Sequence, residues 1–176
     1  MDPDRYVQAL IFAASAHGGQ HTPHGLPYLT HVCSVAAEIV AALQAEPGRD
    51  EDLAVSCALL HDVVEDTDAT LGQLEVAFGA AVAAGVSALT KDVSLDKPLQ
   101  MLDSLDRIAA QPPEIAMVKL ADRIINLGPP PPRWSESKRL RYRNEADRIL
   151  DRLGHASPHL ARRLRGRIAA YPPDPV

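Results

Sequence analysis

The stretch His31-Val32-Cys33-Ser34-Val35-Ala36-Ala37-Glu38-Ile39-Val40-Ala41-Ala42-Leu43 decides the fold class. Val32, Val35, Ala36, Ile39, Val40 and Leu43 recur at spacings of three and four. That is the period of one helix face; strand side chains would alternate. The helix is expected to start near Tyr28 or Thr30, and Pro47-Gly48 stops it. Upstream, a helix runs from about Asp4 to Ala16 with Tyr6, Leu10 and Ala13 on one face. Gly18 and Gly19 end it, and Pro23, Gly25 and Pro27 break the loop that follows. Downstream, Asp50 is a candidate N-cap, with Glu51 and Asp52 in the first turn of a helix carrying Leu53, Cys57, Leu60 and Val64 to about Asp66. More helices are expected over about 70–78, 80–90, 98–110 and 112–127. The run Pro129-Pro130-Pro131-Pro132 is too stiff and donor-poor for a helix interior. Two basic helices follow, near 135–153 and 158–170. The pattern predicts an all-α, compact multi-helix bundle.

Composition bounds what such a bundle does. At 176 residues the chain is expected to form one domain, 1–176, large enough to fold without disulfides or structural metal. Ala supplies 27 residues and aromatics only seven, which suits closely packed helices. The longest apolar runs, such as Ala80–Val86, are broken by Gly and too short to span a membrane. The acidic start Met1-Asp2-Pro3-Asp4-Arg5 lacks a signal peptide's basic and apolar regions. Cys33 and Cys57 form no Cys-x-x-Cys motif and read as buried small apolar residues, so a cytoplasmic location is expected. Net charge is −5, split into −11 over residues 1–132 and +6 over 133–176. The acidic part could hold a cation and the basic part meet an anion, although taken alone the basic part reads first as the Arg-rich outer faces of solvated helices. So acidic a body argues against duplex nucleic-acid binding.

The chemistry-bearing stretch is Leu59-Leu60-His61-Asp62-Val63-Val64-Glu65-Asp66. An adjacent His and Asp mean little, since chance supplies roughly 0.6 such pairs in this composition. Four ionisable side chains inside core-like sequence mean more, because burying them without partners is costly and a cation relieves that cost. On a continuous helix, His61 and Asp62 turn toward one ion, with Glu65 and Asp66 one turn further on, beside it. That placement suits carboxylates that orient or deprotonate water. His31 and Asp122 are two more candidates, the latter in Lys119-Leu120-Ala121-Asp122-Arg123-Ile124-Ile125-Asn126. Two imidazoles and two carboxylates with no Cys fit Mn²⁺, Fe²⁺ or Zn²⁺. The sequence holds no Gly-rich phosphate loop, Gly-x-Ser-x-Gly elbow or His-Glu-x-x-His.

The order His…His-Asp…Asp resembles the HD-domain metal-dependent phosphohydrolases. More narrowly, it resembles the RelA/SpoT hydrolase module and the small alarmone hydrolases. The matching segments are His17-Gly18-Gly19-Gln20, Gly25-Leu26-Pro27-Tyr28 with His31, Ala58 to Thr67, Leu89-Thr90-Lys91, Lys119 to Arg123 with Asn126, and Trp134-Ser135. The resemblance implies a (p)ppGpp 3′-pyrophosphohydrolase that releases pyrophosphate and leaves GDP or GTP. It implies His31, His61, Asp62 and Asp122 as metal ligands, usually for Mn²⁺, and Glu65 and Asp66 as the groups that activate water. It also implies substrate contacts from Asn126, Trp134, Lys138 and Tyr142, with Lys97 a weaker match, and basic C-terminal helices over 133–176 closing the site. Lys138 and Tyr142, four apart on one helix face, are expected to present a cation and a phenol together to the diphosphate.

One departure bears on substrate. Where the family commonly carries an Arg-Lys pair, this chain has Thr22-Pro23 between His21 and His24. Two alternatives therefore stand beside the alarmone hydrolase. One is the same metal centre acting on another phosphorylated nucleotide such as NADPH. The other is a non-catalytic alarmone-binding sensor, against which the Glu65-Asp66 pair speaks. The expected partner in the first two readings is a small nucleotide, with no nucleic acid and no membrane.

Overall fold

Asp2, Asp50, Thr70, Ser135 and Ser157 each place a side-chain oxygen on a backbone N–H of a helix start, satisfying donors that have no partner inside the helix. Thr70 and Gln73 do so reciprocally, as a capping box. In the computed structural model, which describes residues 1–171, the helices are α1 (Pro3–Ala16), α2 (Leu29–Ala45), α3 (Glu51–Leu60), α4 (Val63–Asp66), α5 (Leu71–Phe78), α6 (Ala80–Leu89), α7 (Lys97–Ala109), α8 (Pro113–Asn126), α9 (Glu136–Leu153) and α10 (Pro158–Ala170), with a 3₁₀ turn at Gly154–Ala156. The all-α class holds. Among the described residues, β pairing is limited to one isolated bridge between His21 and Pro27. No helix of the described residues is long and apolar enough to cross a membrane.

Helix α3 is the centre. Every residue from Leu53 to Leu60 is buried, and α1, α2, α6 and α8 pack around it. A helix apolar on all sides can sit only there. Gly85 of α6 makes close approach possible: a Cβ on it would lie 2.5 Å from Ile115 Cδ1 and 2.9 Å from Cys57 Sγ. Of the two free cysteines, Cys57 is buried as expected, whereas Cys33 is only half-buried.

One helix boundary differs from expectation. The third helix does not continue to Asp66; it ends at Leu60, turns at His61-Asp62 and resumes as α4. The cause is local. The His61 ring Nδ1 lies 2.8 Å from the Ala58 carbonyl, the oxygen that the Asp62 N–H would use in a continuous helix. His61 and Asp62 are therefore on a turn, and the one-face argument built on a straight helix does not apply to them.

The loop between α1 and α2 is ordered by backbone pairing. Thr22 N–H donates to Leu26 O at 2.8 Å and Tyr28 N–H to Gln20 O at 2.9 Å. This fixes Tyr28 one turn before His31. Thus α2's first turn, the α3–α4 turn and the last turns of α8 meet at one end of the bundle.

Candidate active site

His61 is 3% exposed, and its ring is oriented by the bond from Nδ1 to the Ala58 carbonyl. A carbonyl only accepts, so Nδ1 carries the proton and Nε2 presents a lone pair. Nε2 is buried without a hydrogen-bond partner, although Asp62 Oδ2 lies 2.9 Å away and Asp122 Oδ1 3.7 Å. A lone pair facing carboxylate oxygens calls for a positive charge between them. His31 Nε2 approaches the same oxygens, at 3.6 Å from Asp62 and 3.4 Å from Asp122. Ligand atoms of His31, His61 and Asp122 all lie within 4.8 Å of one another. Among the described residues these three fit a divalent cation, and the fourth expected ligand, Asp62, lies beside both imidazoles.

The electrostatics agree. Burial would make His61 and His31 harder to protonate, but the Asp62 and Asp122 carboxylates overcome it and raise both pKa values. Burial would push Asp122 up, yet Lys119 and the two imidazoles hold it well below the usual carboxylate range. Asp62 is held down by the same imidazoles against its own burial. The four groups together favour a positive charge at their centre, whether protons or a metal.

Other side chains aim the carboxylates. Tyr28 donates its phenol to Asp62 Oδ2 at 2.5 Å. Its ring lies between those of His17, 4.6 Å away, and His31, 5.3 Å away. Lys119 Nζ lies 3.4 Å from Asp122 Oδ2, and Asn126 Nδ2 donates to Asp122 Oδ1 at 2.5 Å. Tyr28 and Lys119 carried no role in the sequence reading, although Lys119 precedes Asp122 by one helical turn. Asn126, expected at the nucleotide, has its amide engaged on Asp122.

Glu65 and Asp66 line one cavity but are held differently. Glu65 accepts from Lys91 Nζ at 2.5 Å on Oε1 and from the Lys91 backbone N–H at 3.1 Å on Oε2. Asp66 is half-buried, and its pKa is raised by burial and by the charges of Asp62 and Glu65. Lys91 is a third group that sequence reasoning missed, because 26 residues separate it from its partner.

Two cavities flank the cluster and share Tyr28, Asn126 and Tyr142. The first, about 550 Å³, holds Asp62, Glu65, Asp66 and Asp122 together with Lys91, Lys97, Lys119 and Arg123. The second, about 480 Å³, has walls of Leu26, Ile125, Pro129, Pro131 and Trp134, with Thr22, Pro23 and His24 at one side. The first is charged; the second offers flat apolar surface with hydroxyls and imidazoles.

The C-terminal expectations change here. Lys97, Trp134 and Tyr142 line the cavities. Lys138 lines neither: its Nζ rests 4.2 Å over the Trp134 ring, a cation–π contact. The Tyr142 ring is edge-on to Trp134 and carries the Arg123 guanidinium 4.2 Å from its centre. Lys138 and Tyr142 therefore do not present a cation and a phenol side by side. The tail arginines are likewise off the site, with Arg152 paired to Asp106 and Arg163 to Glu38. Every fixed cation of the charged cavity comes from the net-acidic part of the chain. The expected closing region runs to residue 176, and 172–176 lie outside the described residues.

The HD domain family matches residues 9–157. The chain is 33% identical over 165 residues to the guanosine-3′,5′-bis(diphosphate) 3′-pyrophosphohydrolase MESH1 of Mus musculus, with 90% of each covered. It is 37% identical over 129 residues to the bifunctional (p)ppGpp synthase/hydrolase SpoT of Escherichia coli strain K12, a match covering 70% of this chain and 18% of SpoT. A solved structure of a metazoan ortholog of SpoT that hydrolyzes ppGpp aligns with a TM-score of 0.80 and 29% identity, covering 96% of both chains.

Proposed function

The chain belongs to the HD-domain family, and from that premise we propose that it is a metal-dependent (p)ppGpp 3′-pyrophosphohydrolase that forms one HD-type domain and works in the cytoplasm. The observation that carries this is the cluster of His31, His61, Asp62 and Asp122 beside a cavity that holds both carboxylates and fixed cations. In this reading those four residues hold the ion, with Mn²⁺ the first choice for a mixed N/O set and Fe²⁺ or Zn²⁺ the alternatives. A bound divalent ion supplies a Lewis acid beside the phosphoryl group and acidifies neighbouring water.

The chain's own residues do the rest. Asp66, whose pKa is raised by burial and by the charges of Asp62 and Glu65, takes the proton of the attacking water. Glu65 has both oxygens engaged by Lys91, so it fixes the Lys91 ammonium in the cavity. Water adds to the 3′-linked phosphorus, the bond to the ribose 3′ oxygen breaks, and that oxygen takes up the proton released by the water to become the 3′-hydroxyl. Pyrophosphate leaves, and GDP or GTP remains. Lys91, Lys97, Lys119 and Arg123 offset the charge of the departing group. The apolar cavity takes the base against Trp134 and the prolines, with Thr22, His24, Thr30 and Ser34 as polar partners.

The test is pyrophosphate release from ppGpp by Mn²⁺-loaded protein, compared with EDTA-treated protein. Release is expected from the first only; release from neither refutes the reading. One observation favours a second substrate: Thr22-Pro23 lines the base cavity with no fixed charge. A screen over ppGpp, pppGpp and NADPH separates the two.

That loop also yields a graded prediction. Thr22 is anchored by backbone bonds to Leu26 and Gly25, which a side-chain exchange leaves in place, while the bond from Leu26 N–H to Thr22 Oγ1 is lost in both variants below. Replacing Thr22-Pro23 by Arg-Lys adds two charges at the cavity mouth, each worth about 0.5–1.5 kcal/mol when partly screened. KM for ppGpp should fall about ten-fold, and less at high salt. Thr22-Pro23 to Gln-Gln is the control, and equal KM values in the two variants would mean that charge at this mouth is irrelevant.

A further inference from the structure

Arg107 lies on α7, outside the charged cavity, and has all of its reach committed. Its Nε donates to Asp103 Oδ2 at 2.8 Å, its Nη1 to Ser87 O at 2.5 Å and its Nη2 to Thr90 O at 2.8 Å. The two carbonyls belong to the end of α6, where the helix leaves acceptors without internal partners. Taken alone, that describes a stitch between α6 and α7.

The Thr90 carbonyl, however, is one end of the peptide group that joins Thr90 to Lys91. The other end is the Lys91 N–H, which donates to Glu65 Oε2 at 3.1 Å. A peptide unit is planar, so fixing its oxygen fixes the direction of its N–H. The same residue then sends its Nζ back to the second oxygen of Glu65. A single rigid plane thus links the Arg107 guanidinium to the Glu65 carboxylate, and Glu65 has no other hydrogen-bond partner among the described residues.

We propose that Arg107 is a positioning residue for catalysis, orienting Glu65 through the Thr90–Lys91 peptide. The proposal rests on the hydrolase reading above, in which Glu65 serves turnover. A guanidinium is required because its planar fork serves three acceptors at once, whereas an ammonium on a shorter reach cannot hold Asp103, Ser87 and Thr90 together.

The test is a double-mutant cycle on Mn²⁺-loaded protein with ppGpp, combining Arg107→Lys with Glu65→Gln. Arg107→Lys should lower kcat roughly ten-fold, the scale of a small misplacement at a reacting centre, with KM and metal content unchanged. In the Glu65→Gln background it should cost nothing further, because the group that it positions is already gone. Arg107→Gln, which offers the carbonyls a single amide, serves as the second variant if the lysine form does not fold, and the same pattern is expected. Equal losses in both backgrounds, or an unchanged kcat for Arg107→Lys, overturn the proposal and leave Arg107 a stitch. Normal turnover by Glu65→Gln alone overturns the role given to Glu65, a different failure read from a different variant.

Discussion

His61→Ala and Asp122→Ala should each lose their divalent metal and, with it, pyrophosphate release from ppGpp. His61 is the most buried member of the cluster, and the Ala58 carbonyl fixes its tautomer, so nothing nearby can replace its lone pair. Asp122 Oδ1 is the oxygen that both imidazoles approach. Removing either leaves too few donors for an ion that must also keep room for substrate. Asp122→Asn keeps the shape and separates charge from packing. Lys119→Met and Asn126→Ala only release the aim of Asp122, so they should weaken metal binding by about 10–100-fold without abolishing it. Elemental analysis of folded protein, checked by thermal melting, reads all of these. Full occupancy in both His61→Ala and Asp122→Ala would sink the ligand assignment.

How far this site was legible depends on how far apart its partners lie in sequence. The spacing through Val32, Val35, Ile39 and Leu43 is local, and all of these residues are buried in α2. Asp50 and the prolines mark helix ends by local chemistry, and those ends stand within a residue or two of expectation. The four candidate ligands were legible because ionisable groups in apolar sequence have few bland explanations. The break at His61-Asp62 was not, because its cause is one ring nitrogen competing for one carbonyl. A periodicity argument carries no term for that. The Tyr28–Asp62, Lys91–Glu65 and Arg107–Thr90 contacts cross between helices, and no spacing rule relates their numbers. Charge by segment said little about the site. The basic C-terminal part is spent on outer faces and on pairs such as Arg163–Glu38, while the cavity's cations sit in the net-acidic part. Net charge is a sum, and a sum does not say which side chains converge.

The second large effect concerns the proton. Glu65→Gln combined with Asp66→Asn should lower kcat at least ~10²-fold while the metal stays bound. Both substitutions keep shape, and neither residue is among the expected ligands, so elemental analysis should match the wild type. The single variants should divide unequally. Asp66 has no cation on it, and its pKa is raised by burial and by two like charges. Glu65 is tied at both oxygens, by the Lys91 ammonium and the Lys91 N–H, so neither oxygen is aimed at a water in the cavity. Asp66→Asn should therefore carry most of the loss. Glu65→Gln should act by loosening Lys91 and by withdrawing the charge that holds the Asp66 pKa up, so the bell of activity against pH should move to lower pH on its acidic limb. Because the two carboxylates act as a unit, the double variant should be less impaired than the product of the two single losses. Near-normal turnover in the double variant would show that another group takes the proton. Tyr28 would then be the next to change, since its phenol donates to Asp62 and lines the same cavity.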